Sequence, residues 1–164
     1  MKKLWFILVL VLLLTGCSGE KEMVTDVVDV LAMAQMQTIS LTLPKGATVQ
    51  TMENSNGGRL YLCDGYTVAV QTLSGGDLDK TLRDITGFSK EQLTVMERNG
   101  GAVKRYDCVW TSAGEGEDQV ARGVVLDDGN YHYAVTVMAS FSRAGDLSEA
   151  WQEILASVQL NTAQ

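Results

Sequence analysis

The sequence predicts an α+β domain, with a central antiparallel sheet packed by amphipathic helices. Three observations carry that expectation. Several segments alternate apolar and polar residues with the period of a strand. They come in pairs joined by short Gly-, Asn- and Asp-rich turns, the pattern of hairpins and so of antiparallel pairing. The chain then closes on "DLSEAWQEILASVQL", with apolar residues at helical spacing. Strands grouped as hairpins, with helices set apart from them, define the α+β class.

The 164 residues suit one domain and a short appendage. Hydrophobic residues at 46% and charged residues at 20% are enough to bury a core without metal or many crosslinks. The chain holds 13 basic and 20 acidic residues. Setting aside Lys2 and Lys3 of the opening segment leaves 11 against 20, a net −9. Phosphate backbones and anionic lipid surfaces both need clustered Lys and Arg. An acidic body therefore argues against nucleic acid as a partner and against an electrostatic grip on lipid.

The first element is "MKKLWFILVLVLLLTGCSGE". Two lysines precede an apolar run from Leu4 to Leu14. As a helix the run spans about 16 Å, against a hydrocarbon core of roughly 30 Å, so it is too short to cross a membrane. It fits the apolar region of an export signal. The run ends in Leu14-Thr15-Gly16-Cys17, which resembles the lipobox of bacterial lipoproteins. That resemblance implies cleavage between Gly16 and Cys17 and a diacylglyceryl group on the Cys17 sulfur. Two acyl chains, at about 0.8 kcal/mol per buried methylene, hold a protein to a membrane without spanning it. The implied location is the outside of the cell membrane or, with Ser18 following the cysteine, the outer membrane.

The mature chain opens on a polar tether, residues 18–22. Val24, Val27, Val28, Leu31 and Ala34 then lie at helical spacing, so a helix is expected over about 24–36, with a valine-rich strand as the rival. Ile39, Leu41 and Leu43 alternate with Ser40 and Thr42 as a strand that Pro44 ends. "ATVQTM" is a short further strand, and "NSNGG" at 54–58 a turn. "RLYLCDGYTVAVQTL" reads as two strands turning at Asp64-Gly65. After the break at 74–76, Leu78, Leu82 and Ile85 mark a helix that Asp77 can cap and Gly87 can close. A second hairpin turns at Asn99-Gly100-Gly101, and an acidic loop follows at 114–118. A third hairpin turns at residues 127–130; its second arm places Tyr131, Tyr133, Val135 and Val137 on one face. In the closing helix Leu147, Trp151, Ile154, Leu155 and Val158 form the apolar stripe, with Asp146 or Ser148 as its cap.

The order of these elements is similar to that of PsbP-like domains. "ISLTLPKG" resembles their opening strand, "NYHYAVTVMAS" their late strand and "AWQEILASVQL" their closing helix. The likeness covers about 38–161 and divides the chain into a signal peptide at 1–16, a lipidated tether and N-terminal helix at 17–37, and the PsbP-like domain. That superfamily includes a photosystem II extrinsic protein and a Ran-binding import factor, whose activities do not carry over. The resemblance implies a binding or scaffolding module, since a fold by itself fixes no activity.

Candidate chemistry is sparse. Cys63 and Cys108 are the cysteines of the domain. Export permits a disulfide between them, worth roughly 3–4 kcal/mol over a 45-residue separation. The alternative is two buried free thiols. The single histidine, His132, would need one of these cysteines to form a nucleophile pair and has no local signature for it. No Cys-x-x-Cys or His-x-x-x-His spacing points to zinc. The acids Glu115, Glu117, Asp118, Asp127 and Asp128 lack the alternation of a calcium loop and read as solvated turns. No cofactor is expected. Trp110 and Trp151 are expected in the core, while Tyr131 and Tyr133 belong either to a packed face or to a recognition surface. The function these features imply is a non-enzymatic module for an envelope protein or small ligand. The rival is a small exported enzyme whose active site is not readable from spacing.

Overall fold

The protein is described here by a computed structural model covering residues 36–52, 58–99 and 101–161. The chain divides into two units, Met1–Gln35 and Met36–Gln164, and every described residue belongs to the second. The signal segment, the lipobox with Cys17, the expected tether and helix up to residue 35 and most of the 54–58 turn lie outside the described residues.

The strands are β1 (Thr38–Ser40), β2 (Thr48–Thr51), β3 (Arg59–Cys63), β4 (Tyr66–Ser74), β5 (Thr94–Asn99), β6 (Lys104–Ser112), β7 (Gln119–Asp127), β8 (Tyr131–Ser140) and β9 (Gln159–Asn161). The helices are α1 (Leu78–Thr86), α2 (Phe141–Ala144) and α3 (Ser148–Ala156). Seven strands form one sheet in the order β2-β3-β4-β8-β7-β6-β5, with every pairing antiparallel. The three hairpins lie where the turn residues place them. The link between the first hairpin and the rest is long-range: β8 returns to pair with β4 along Thr67↔Met138 to Ser74↔Tyr131.

Side chains of a strand alternate between the two faces of its sheet. On one face Val135 and Val137 of β8 join Val124 and Leu126 of β7 and Trp151, Ile154 and Leu155 of α3 in a single buried cluster. On the other, Ala134 joins Val125, Tyr106, Cys108, Trp110 and Leu82 of α1. The central strand is thus buried without interruption from His132 to Val137. Tyr133 is fully buried and Tyr131 packs against the same cluster, so both tyrosines serve the core and present no recognition surface.

Helix α1 forms where expected, for the expected reasons. The Asp77 carboxylate accepts a hydrogen bond from the Lys80 amide at 3.2 Å. Gly87 closes the helix at φ 81°, a left-handed conformation that costs a residue without Cβ nothing, and donates to the Arg83 carbonyl. Helix α3 differs from expectation: neither Asp146 nor Ser148 caps it, and Leu147 stands at the cap position. The chain enters α3 through the turn of α2, so backbone carbonyls take over that role. Leu147 donates to Arg143 and Ser148 to Gly145. The strand expected over 39–43 stops at Ser40, because its partner is the three-residue β9. Beyond it the Thr42 amide turns to the Ser157 hydroxyl at 2.9 Å. That small β1–β9 sheet gives the C-terminal tail a pairing role that its sequence did not announce.

Candidate functional site

Cys63 and Cys108 are free thiols, not a disulfide. Cys63 packs into the α3 side of the sheet and Cys108 into the α1 side. Three strands separate β3 from β6. Four strand spacings of about 4.8 Å exceed by far the ~7 Å limit on the Cα separation of a bridge. Burial pushes the Cys108 thiol up to about 11, an effect that neighbouring Asp107 reinforces. Burial raises Cys63 as well, against a hydrogen bond with Tyr66. Neither thiol is prepared to act as a thiolate nucleophile.

His132 Nδ1 lies 2.6 Å from the Thr81 hydroxyl, and its Nε2 lies 3.8 Å from an Asp127 oxygen. The order hydroxyl, imidazole, carboxylate has the outline of a nucleophilic triad. Burial defeats it, since Thr81 and His132 are 2% and 1% exposed. The hydroxyl is sealed between α1 and the sheet, where no substrate atom can reach it. The pair instead fixes α1 to β8 by satisfying two buried polar groups. Cys108 stands four residues along β6 from Lys104, which the ladder sets opposite Asp127 and hence His132. A rise of about 3.4 Å per residue puts the thiol beyond the imidazole's reach.

The acidic residues are occupied locally. Glu117 accepts from the Ser142 amide and hydroxyl at 2.7 and 3.1 Å, tying the 114–118 loop to α2. Asp127 accepts from the Gly129 amide. Asp128 is the busiest: it accepts from the Asn130 and Tyr131 amides, the Tyr133 hydroxyl and the Gln37 side chain. The Gln37 amide also donates to the Tyr133 hydroxyl at 2.9 Å, so this carboxylate anchors the entry of the domain. Among the described residues no group of three or more His, Cys, Asp or Glu is placed to hold a metal ion.

Burial works to raise the Asp128 carboxyl, but the four donors outweigh it and hold it below the ordinary carboxylate range. A carboxyl depressed in the folded state stabilises fully above its unfolded pKa, near 4, and loses that contribution as pH falls through the folded value. Asp128→Asn is therefore expected to destabilise the domain at neutral pH. The gap from the parent should shrink as pH falls below about 4. Urea unfolding of both proteins between pH 7 and 2.5 measures it, and a gap independent of pH would contradict the assignment.

A concavity lies on the α3 side, between that helix and the sheet margin. It is a groove of about 550 Å³ whose floor is β5, β6 and β7 and whose wall is Gln152, Leu155 and Ala156 of α3. Register places its polar groups. Arg98 pairs with Arg105 across β5–β6, Met96 with Asp107, and Val109 with Arg122 across β6–β7. Asp107 sits between two guanidiniums: Arg105 reaches it at 2.9 Å and Arg98 at 3.3 Å. Arg105 also donates to the Leu155 carbonyl. Arg122 lies 5.8 Å from the ring centre of Trp151 and donates to the Ser148 hydroxyl, with no carboxylate in its pairing. The groove carries three arginines against one aspartate, on a chain that is otherwise strongly acidic. Met96 and Val109 add apolar floor at 55% and 51% exposure.

Gly123 shapes this region from beneath. A Cβ there would stand 3.2 Å from Cys108 Sγ and from the Trp110 ring, so the missing side chain leaves those two room to pack. None of the groove's charged residues was singled out by sequence; of its lining, only Cys108 and Leu155 were, as a cysteine of the domain and as part of an apolar stripe. The alternation in "KRYDCVW" does separate Arg105, Asp107 and Val109 from Tyr106, Cys108 and Trp110. The convergence of that polar face with Arg98 and Arg122 needs the ladder.

Comparison with known proteins adds two findings. The solution structure of cyanobacterial PsbP from Synechocystis sp. PCC 6803 superposes with a TM-score of 0.52 at 10% identity, over 78% of this chain and 95% of that one. The fold is PsbP-like. The Ran-binding protein Mog1p of Saccharomyces cerevisiae superposes on the same PsbP-like domain with a TM-score of 0.50 at 12% identity, over 79% and 96%. LpqN of Mycobacterium tuberculosis, described as involved in cell envelope biogenesis, gives 0.49 at 13% identity, over 78% and 85%. No match was found among curated proteins. Ahead of the domain, residues 1–18 match the family model of the prokaryotic membrane lipoprotein lipid attachment site. The chain thus joins a lipoprotein attachment site to a PsbP-like domain. Among the described residues no helix is long and apolar enough to cross a membrane.

Proposed function

We propose that this protein is a non-enzymatic binding module of the cell envelope, held by lipid on Cys17, whose recognition surface is the groove between α3 and the β5–β7 margin. The observation that carries the reading is a contrast. The charged groups that face the groove are three guanidiniums and one carboxylate, suited to holding a partner. His132, Thr81 and Cys108 are buried, and Cys63 lies on β3, away from the groove. The attachment-site match supports the lipid half of the proposal. A tether leading into Gln37, latched by Asp128 and Tyr133, would present the domain outward from the bilayer.

A photo-crosslinking amino acid placed at Met96 in the membrane-anchored protein tests this. Discrete adducts are expected from position 96 and none from Lys80, an exposed residue of α1 on the opposite side of the sheet. Absence of adducts from position 96, or equal labelling from both positions, would refute the groove as the surface.

A further inference from the structure

Resting on that reading, we infer that the groove's ligand is an acidic, extended polypeptide that adds as a strand to the free edge of β5, its carboxylates held by Arg98, Arg105 and Arg122. Three observations converge on this class. The first is the edge itself. β5 ends the seven-stranded order and pairs with β6 alone among the described strands. Five of its six residues are exposed. An unpaired edge offers a row of amides and carbonyls that a partner strand can complete.

The second is charge. The groove holds two positive charges in excess, and its remaining lining residues are uncharged. Glu97, the acid of β5, shares its face with Tyr106 on the other side of the sheet. The guanidiniums are also held in advance. Asp107 aligns Arg98 and Arg105, the Leu155 carbonyl and Ser148 hydroxyl each fix one arginine, and Trp151 backs Arg122. A guanidinium has five N–H donors, and in Arg98 and Arg122 these contacts use a minority of them. Planar forks already oriented are the groups that bind carboxylates in pairs. The third is the floor. Met96 and Val109 lie between the arginines and give an aliphatic residue of the ligand somewhere to bury. The other sheet edge, β2, also exposes an apolar residue, Val49, but none of the three arginines lies on the strands beside it. The two edges are thereby distinguished.

The probe is an acetylated Glu-Thr-Val-Thr-Glu peptide, whose two carboxylates and valine share one face of a strand, titrated by NMR into the full-length lipidated protein in nanodiscs. Binding is expected at the β5 amides and the three arginines, with affinity falling as salt rises. Arg122→Gln should weaken it about tenfold, as loss of a charge-assisted pair implies. Arg98→Gln, at a site 65% exposed where the change leaves the core untouched, should act in the same direction. The Lys-Thr-Val-Thr-Lys analogue should not bind. A Glu peptide with N-methylated alternate amides should lose most of its affinity, because it cannot complete the edge. Equal binding of the Lys peptide, or indifference to both arginine variants, would overturn the acidic class. Full affinity of the N-methylated peptide would overturn strand addition. Crosslinking from position 96 without binding of the Glu peptide would overturn this inference and leave the groove as the recognition surface.

Discussion

Trp151→Ala is expected to lower the unfolding free energy by about 3–5 kcal/mol, the largest effect of any single truncation in the domain. Trp151 is fully buried and projects from α3 into the cluster that holds β8, β7 and β4. It meets Tyr66 edge-on at a centroid distance of 6.5 Å and lies beneath the Arg122 guanidinium. Removing it opens a large cavity at the joint between helix and sheet, and the paired strands around it cannot collapse to fill the space. Trp151→Phe should cost far less, about 1–2 kcal/mol, for a reason specific to this site. The indole Nε1 is buried with no hydrogen-bond partner among the described residues, so phenylalanine gives up ring area and no hydrogen bond to them. Urea unfolding of the three proteins measures both differences. A loss under about 1 kcal/mol for the alanine variant would show that α3 is not held through this ring. The same variant reports on the groove, because Arg122 loses the surface behind it.

Cys17→Ala is expected to abolish lipid attachment completely. The attachment-site match spans residues 1–18, and Cys17 holds the one thiol of that segment; its other sulfur, the Met1 thioether, has no S–H to exchange for a diacylglyceryl group. Two acyl chains at about 0.8 kcal/mol per methylene account for anchoring outright, whereas the acidic domain supplies no electrostatic substitute. The variant should incorporate no labelled palmitate, and its intact mass should retain the sixteen-residue leader that the parent is expected to lose. A parent protein whose mature N-terminus is anything other than a lipid-modified Cys17 would refute the anchor.

Local patterns in the chain carried the secondary structure well where one face of an element meets the core. Helix α1 announces itself through Leu78, Leu82 and Ile85 and through its two caps, all within eleven residues. The hairpins are announced by their turns. Expectation failed where the partner of a segment is remote. The strand begun at Thr38 is cut short by the length of β9, more than a hundred residues away. The cap of α3 is supplied by the preceding turn, which no local signal showed. The alternation in β8 left open which face of Tyr131 and Tyr133 is packed. Both faces are, because β8 lies mid-sheet with a helix-bearing cluster on each side.

What the sequence by itself determined is the attachment-site motif and the fold class. An attachment site is read in the unfolded chain, by its order of residues, so a linear motif is sufficient to state it. Strand and helix periods are likewise properties of short windows. Only the tertiary structure decided the rest. It set Cys63 and Cys108 on opposite faces with three strands between them, and it sealed His132 beneath α1. It also brought Arg98, Arg105 and Arg122 from three strands to one groove. The physical reason is the same in each case. A residue's strand shows which other residues share its face, but the order of strands and their register decide what stands beside it, and those are fixed by burial summed over the whole sheet.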